Sequence, residues 1–322
     1  MSTTAGAPGV TGLCHAVCRY DDEAGLLDEL TAQALSALRS GGGVAVGLRP
    51  VTEVALRRRI AAELGADAVA GLIRLPRDPG PDGPSGQTDA ALVARRLRAH
   101  LDSAGGPLTV LTEPDGVLGD AAGVYRCEVE AAVDVALAPL PVLLVCFVPR
   151  AAHGSPAELA ERAHPVELVG GVLRRRPGHP DPRGLLGACP APVPAALGPP
   201  VTDLPFDAVH LSEVRRAVTG ALHGQGFGPA RTEDVTVAVN EVATNAVHHG
   251  CGPARLMVWT PGDDVVCEVH DTGRLGDPLP GLAPPDPAAD HGRGIWIARQ
   301  LCDVLHVWGD DEGTHVRIRA AA

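Results

Sequence analysis

The 322-residue sequence predicts two domains of different class in series. The first is an α/β domain with a mostly parallel sheet; the second is an α+β domain with helices on a mixed, largely antiparallel sheet. Three observations predict this. Helical and strand-like segments alternate from Glu23 to Val148, two hairpin patterns occupy the last seventy or so residues, and a proline-dense stretch lies between them, "VLRRRPGHPDPRGLLGACPAPVPAALGPPVTDLP". Prolines this dense lack N–H donors and forbid long helices, so at least the second half of that stretch reads as an extended connector. The expected division is 13–189, a linker at 190–205, and 206–322.

In the first half, "EAGLLDELTAQALSALRSGGG" spaces its leucines at three and four and stops at glycines, a helix with a stop signal. "VAVGL" follows as a short buried strand, and "VTEVALRRRIAAELG" as a second helix with Thr52 as its expected N-cap. "LIRLP" reads as a strand, "TDAALVARRLRAHLDSAGG" as a helix, "LTVLTE" as a strand, "YRCEVEAAVDVAL" as a helix and "PVLLVCFV" as a strand. The run Ala131–Val148 is about long enough to span a membrane, but Asp134, Pro139 and Pro141 break it, so it is expected to be core.

Composition narrows the function. Charged residues are 20% and apolar residues 45%, a globular balance, and every basic residue is Arg. Aromatics at 2% and a net charge of −12 argue against nucleic-acid binding. The start "MSTTAGAPGVTG" has neither a basic nor an apolar leader region, so a cytoplasmic location with free, mostly packed thiols is expected. "RSGGGVAVG" lacks the phosphate-loop Lys and precedes a strand, so it reads as a helix end and turn. Cys14, His15 and Cys18 have no second pair nearby in sequence to complete four metal ligands.

This half resembles the MEDS-type sensory domain, a RecA-like α/β module of bacterial regulators. The resemblance rests on "CHAVCRYDDEAGLLDEL", "TEPDG" with "YRCEVEAAVDVAL", "PVLLVCFVP" and "AERAHPVELVGG", and covers roughly Leu13 to Pro182. It implies sensing, with the ligand undefined. Glu128, Glu130 and His164 fall in the matched stretches, where solvated or capping roles are as open as ligand contacts.

In the second half, "HLSEVRRAVTGALHGQG" reads as an amphipathic helix with Ser212 as its expected N-cap. The next helix is expected to start near "RTEDV", capped by Thr232. On it Val235, Val239, Val242 and Ala246 form a core stripe, while Asp234, Ala238, Glu241, Asn245 and one of His248 and His249 form a second. Glu241 and Asn245, four apart, project over one patch, and Gly250 ends the helix. "ARLMVWT" and "DVVCEVHD" flank a "PGD" turn, which leaves Asp271 at a strand end followed by Thr272 and Gly273. A Pro/Gly-rich loop leads to "GRGIWIARQLCDVL", where glycines open a helix, and a hairpin around Asp310–Gly313 closes the chain.

Each of these pieces is common alone; their order is not. "NEVATNAVHHG", "DTG", "HGRGIWIARQL" and "GTHVRIR" match, in sequence, the boxes of the GHKL (Bergerat) ATP-binding fold over about His210 to Arg319. In wording the stretch most resembles the anti-sigma-factor serine kinases of bacterial partner-switching systems. The resemblance implies ATP and Mg²⁺ as cofactors. It gives Asp271 the adenine amine, Gly273 the close approach to the base, Asn245 the Mg²⁺, Gly292 and Gly294 the phosphates, and Thr314 the pocket floor. Arg293 is placed to assist the phosphates or to face solvent, and His249 to contact the pocket or the helix dipole. Glu241 becomes the candidate general base, with a water-mediated metal contact as its alternative role. The loop between Asp277 and Asp290 is the expected ATP lid.

The implied partners are a small antagonist protein of the STAS type, a sigma factor, or both; a homodimer is left open, and neither nucleic acid nor membrane is expected. Leu275 stands where sensor histidine kinases have a second glycine, and no helical His of a dimerisation hairpin lies upstream. A serine/threonine kinase is therefore favoured over an atypical histidine kinase, with a non-catalytic ATP-dependent binding protein as the other alternative.

Overall fold

The computed structural model describes residues 11–75, 85–113, 120–150, 162–178, 181–186, 193–286, 288 and 292–322, without the side chains of 120–124. Cys189, the first linker residues (190–192), the far end of the expected lid (287, 289 and 290) and residue 291 lie outside the described residues. Two compact units emerge: 1–77 with 92–188, and 78–91 with 189–322.

Strands β1 (Cys14–Tyr20), β2 (Gly43–Gly47), β3 (Ile73–Arg74), β4 (Leu108–Thr112), β5 (Val142–Pro149), β6 (Val166–Val169) and β7 (Val172–Arg175) form the sheet of the first unit, in the order β3-β2-β4-β5-β1-β6-β7. All neighbours are parallel except β6 and β7. Helices α1 (Glu23–Arg39), α2 (Pro50–Leu64), α3 (Ala66–Ala70), α5 (Asp120–Leu137) and α6 (Pro182–Leu186) accompany them, as does α4 (Gly86–Ala104) from residue 92 on, its start belonging to the second unit.

The mostly parallel sheet expected from strand–helix alternation is present. On one face, Leu26 and Leu30 of α1 and Leu56 and Ile60 of α2 pack on Val44, Val46, Leu111, Val145 and Phe147. Full burial of each large side chain contributes about 1.5–3 kcal/mol. Asp22 caps α1 by accepting the Gly25 N–H at 2.8 Å. Thr52 does not cap α2: the helix starts at Pro50, whose fixed φ suits the first turn, and Thr52 is buried inside it. Glu128, Glu130 and His164 are buried, so the solvated role left open for them does not hold.

The run Ala131–Val148 is the end of α5, a turn and the start of β5. Among the described residues no helix is long and apolar enough to cross a membrane. None of the seven described cysteines is in a disulfide, and all but Cys14 and Cys251 are buried.

In the second unit, β8 (Thr202–Phe206), β9 (Ala254–Trp259), β10 (Val265–Asp271), β11 (Val304–Gly309) and β12 (Thr314–Ala320) form an antiparallel sheet in the order β11-β12-β10-β9-β8. The end of the proline-dense stretch thus becomes an edge strand. Helices α7 (Leu211–Gly224), α8 (Pro229–His249) and α9 (Gly294–Leu301) cover one face. Val214, Val218 and Leu222 of α7 and Val235, Val239 and Val242 of α8 pack there on Leu256, Val258, Cys267, Val269 and Ile318.

The other face carries Trp259, Trp308, Glu268, His315 and Arg317, all buried. Trp259 Nε1 donates to the Gly198 carbonyl at 2.9 Å and Arg317 to that of Ala195 at 2.7 Å. A proline-rich segment, poor in donors but rich in free carbonyls, suits that role.

Two cap expectations and one face assignment need correction. Helix α8 begins three residues before Thr232, at Pro229 behind Gly228, because proline at the first helical position is preorganised for it; Thr232 is buried. Helix α7 follows a short turn capped by Asp207, so Ser212 lies inside the helix. Ala238 is fully buried, which moves it from the polar stripe to the core.

Candidate functional site

Glu241 and Asn245 lie one turn apart on α8, both half-buried. The start of α9 comes against them. A Cβ on Gly294 would stand 2.8 Å from Glu241 Oε2 and 3.2 Å from Asn245 Nδ2. A side chain at 294 would have to push the Glu241 carboxylate aside and crowd the Asn245 carboxamide. The start of α9, whose first N–H groups have no partners within the helix, therefore lies beside a carboxamide and a carboxylate.

At the end of β10, Asp271 pairs with Thr314 of β12. Asp271 Oδ1 accepts the Gly273 N–H at 2.7 Å, and Thr314 Oγ1 donates to the Gly273 carbonyl at 2.8 Å. Gly250, at the end of α8, rests on this aspartate: a Cβ there would be 3.0 Å from both Asp271 Cβ and Oδ1. A Cβ on Gly273 would be 3.1 Å from the His249 carbonyl. Burial raises the Asp271 carboxyl above the ordinary aspartate value, against the opposing pull of the Gly273 N–H and of His270, His315 and His249.

The structure thus brings together Glu241, Asn245 and Gly294, and separately Asp271, Gly273 and Thr314; the last turn of α8 joins the two groups. The His249 side chain is exposed beside Asp271, and Gly292 (φ +90°) and Arg293 are exposed ahead of α9. Leu275 packs on the core and against Gly309.

Supporting residues include Gly313, already marked by the closing hairpin motif, and two that were not foreseen, Gly281 and Arg299. Gly313 has φ +144°, and a Cβ there would fall 2.0 Å from the Asp271 carbonyl, so the hairpin can close on Asp271 only through glycine. Gly281 lies against the start of α9, where a Cβ would be 2.6 Å from Trp296 N. Arg299 is buried and donates to the carbonyls of Pro280 (3.0 Å) and Leu305 (2.8 Å) and to Gln87 Oε1 (2.7 Å). The "GTH" glycine of the last hairpin was the legible signal for Gly313; an Arg near the end of an amphipathic helix carries none.

Behind the site, burial pushes the Glu268 carboxyl up, but bonds from His315 (3.1 Å) and Arg317 (2.8 Å) outweigh it and hold the group below its ordinary value. Desolvation likewise lowers the His315 pKa, but Glu268 and Asp310 outweigh it and leave the imidazole above its ordinary value.

Residues 204–320 match the family described as the histidine kinase-like ATPase domain. No curated protein matches the chain. The C-terminal unit, with its antiparallel sheet and helices, is consistent with such a domain, for which ATP binding is expected. The residues present fit that ligand. Asn245 carries a carboxamide oxygen, Glu241 a carboxylate and the start of α9 a glycine-led helix terminus, the donor types that a magnesium-bound nucleotide takes.

Proposed function

We propose that the chain is an ATP-dependent protein serine/threonine kinase of the anti-sigma type, with residues 206–322 as its catalytic domain and 13–189 as a MEDS-type sensory module. The observation that carries this reading is the meeting of Gly294 with Glu241 and Asn245, which sets a carboxylate, a carboxamide and a helix start at one place.

ATP with Mg²⁺ supplies a transferable γ-phosphoryl group. Asn245 holds the ion through its side-chain oxygen, and Gly292 and Gly294 present N–H groups to the phosphates, with Arg293 adding charge beside them. Asp271 accepts a hydrogen bond from the adenine amine through Oδ2, since Oδ1 is committed to Gly273. Gly273 and Thr314 shape the pocket floor, and His249 flanks it. Glu241 would take the proton of an attacking serine or threonine hydroxyl as that oxygen bonds the γ-phosphorus, the β–γ bridging P–O bond breaks and ADP leaves. The acceptor is a small STAS-type antagonist protein in the cytoplasm, with a sigma factor as a second partner.

The test is transfer of labelled phosphate from ATP to such an antagonist, with acid-stable label on a hydroxyl residue as the expected product. Nucleotide binding without transfer would instead support a binding protein, and acid-labile label on the chain itself an atypical histidine kinase.

Asp271 also predicts a pH dependence. Its carboxyl is raised, so as pH falls it protonates earlier than an ordinary aspartate and loses its charge-assisted bond to adenine. The sign for folding is opposite. A raised carboxyl costs stability while ionised, and that cost disappears as pH falls through its folded value. Glu268, held low, contributes stability that is complete above the ordinary glutamate range and erodes only below it. ATP affinity measured by calorimetry should therefore weaken on mild acidification before the thermal midpoint falls; a parallel loss of both would contradict the assignment.

A further inference from the structure

The first unit contains a second constellation, remote in role from nucleotide chemistry. We propose that His15, Glu130, Cys146 and His164 form a closed, four-ligand site for a thiophilic divalent cation of the zinc class. Their ligand atoms all lie within 4.8 Å of one another, and the four residues are 1%, 6%, 6% and 1% exposed.

The fold brings them together from four segments: His15 from β1, Cys146 from the adjacent parallel strand β5, Glu130 from α5, and His164 from just before β6. No two are near in sequence, and for that reason "CHAVC" alone shows no partner set.

Three of the six ligand–ligand spacings are close to the edges of a tetrahedron. Zinc bonds of about 2.0–2.1 Å to nitrogen and oxygen and about 2.3 Å to sulfur give ligand–ligand edges of about 3.3–3.6 Å. His15 Nε2 is 3.4 Å from Cys146 Sγ and 3.3 Å from Glu130 Oε2, and His164 Nε2 is 3.7 Å from the same oxygen. Contraction of the remaining edges by about an ångström, within side-chain reach, completes the shell.

The surroundings orient each ligand. Asp134, one turn beyond Glu130 on α5, accepts from His15 Nδ1 at 2.7 Å, which fixes the tautomer that leaves Nε2 free to ligate. Arg126 holds Glu130 Oε1 at 3.3 Å, turning Oε2 toward the two imidazoles. Thr112 Oγ1 lies 3.2 Å from Cys146 Sγ, a donor suited to a thiolate. Charge closes as well: the Glu130 carboxylate and a Cys146 thiolate neutralise a divalent ion, and Arg126 offsets Asp134. A mixed N, O and S set selects zinc or its cobalt analogue over magnesium or calcium, and four protein ligands leave no position open for catalysis.

The experiment uses the full chain, stripped with chelator, kept reduced and titrated with Co²⁺. One equivalent should give the intense visible bands of tetrahedral cobalt with a thiolate charge-transfer band, bleached by stoichiometric Zn²⁺. Cys146→Ser should remove the charge-transfer band, and His164→Gln should weaken binding at least about tenfold. Cys251→Ser, at the exposed thiol, should change neither.

X-ray absorption of the zinc-loaded wild-type chain should report one sulfur and three lighter ligands, which decides the matter if the variants do not fold. Absence of stoichiometric binding, a spectrum unchanged in Cys146→Ser, or a shell with two sulfurs or six light atoms would overturn the proposal. The cluster would then be a buried imidazolium–carboxylate network.

Discussion

Replacement of Asn245 by alanine should abolish the Mg²⁺ dependence of ATP binding and weaken affinity in the presence of Mg²⁺ at least about tenfold, roughly 1.4 kcal/mol or more. The carboxamide is half-buried beside the start of α9, with its Nδ2 3.2 Å from where a Cβ of Gly294 would stand. Its oxygen is the neutral donor that a hard cation takes together with phosphate oxygens. Alanine is also the better helix former, so α8 should persist, and circular dichroism and the thermal midpoint should be nearly unchanged. The measurement is isothermal titration of ATP with Mg²⁺ and with chelator. Wild-type protein should show a clear difference between the two and the variant none; a retained difference would remove Asn245 from the metal.

Glu241→Gln should have the larger effect on transfer and a small one on binding. A positioned general base contributes roughly a hundredfold to ten-thousandfold, and the amide keeps the size and most hydrogen bonds of the carboxylate while losing its basicity. Glu241 Oε2 is the atom nearest to where a Gly294 Cβ would stand, so the variant should still fit against α9. Single-turnover transfer from labelled ATP should fall by at least the lower figure, while the dissociation constant for ATP moves less than about threefold. Normal transfer by the variant would leave Glu241 with a water-mediated metal contact at most.

Much of the fold was legible because local signals and tertiary packing agree. The alternation of strands and helices from Glu23 to Val148 and the hairpins at "PGD" and Asp310–Gly313 appear where periodicity and turn chemistry placed them. Errors came where two local signals compete. Thr52, Ser212 and Thr232 are plausible caps, but Pro50 and Pro229 start their helices earlier, and Asp207 captures the turn ahead of α7.

The second face of the C-terminal sheet was not legible, because Glu268, His315 and Arg317 look solvent-facing until the carbonyls of Ala195 and Gly198 are seen beside that face. The His15 cluster was hidden for a topological reason: parallel β1 and β5 are neighbours in space although about 130 residues separate His15 from Cys146. The candidate nucleotide site was more accessible to sequence reading, since its pieces follow one another within the family match at 204–320.

The most direct test compares ATP with ITP, whose base carries a carbonyl in place of the amine, on wild-type protein and Asp271→Asn. With one oxygen held by the Gly273 N–H at 2.7 Å, an asparagine would keep its oxygen there and turn its NH₂ toward the base. The account predicts that ATP affinity falls about ten- to a hundredfold, as for loss of a charge-assisted bond of about 1.5–3 kcal/mol, while ITP binding improves. Equal ATP affinity in the two proteins, with no change in the ATP-to-ITP ratio, would contradict it.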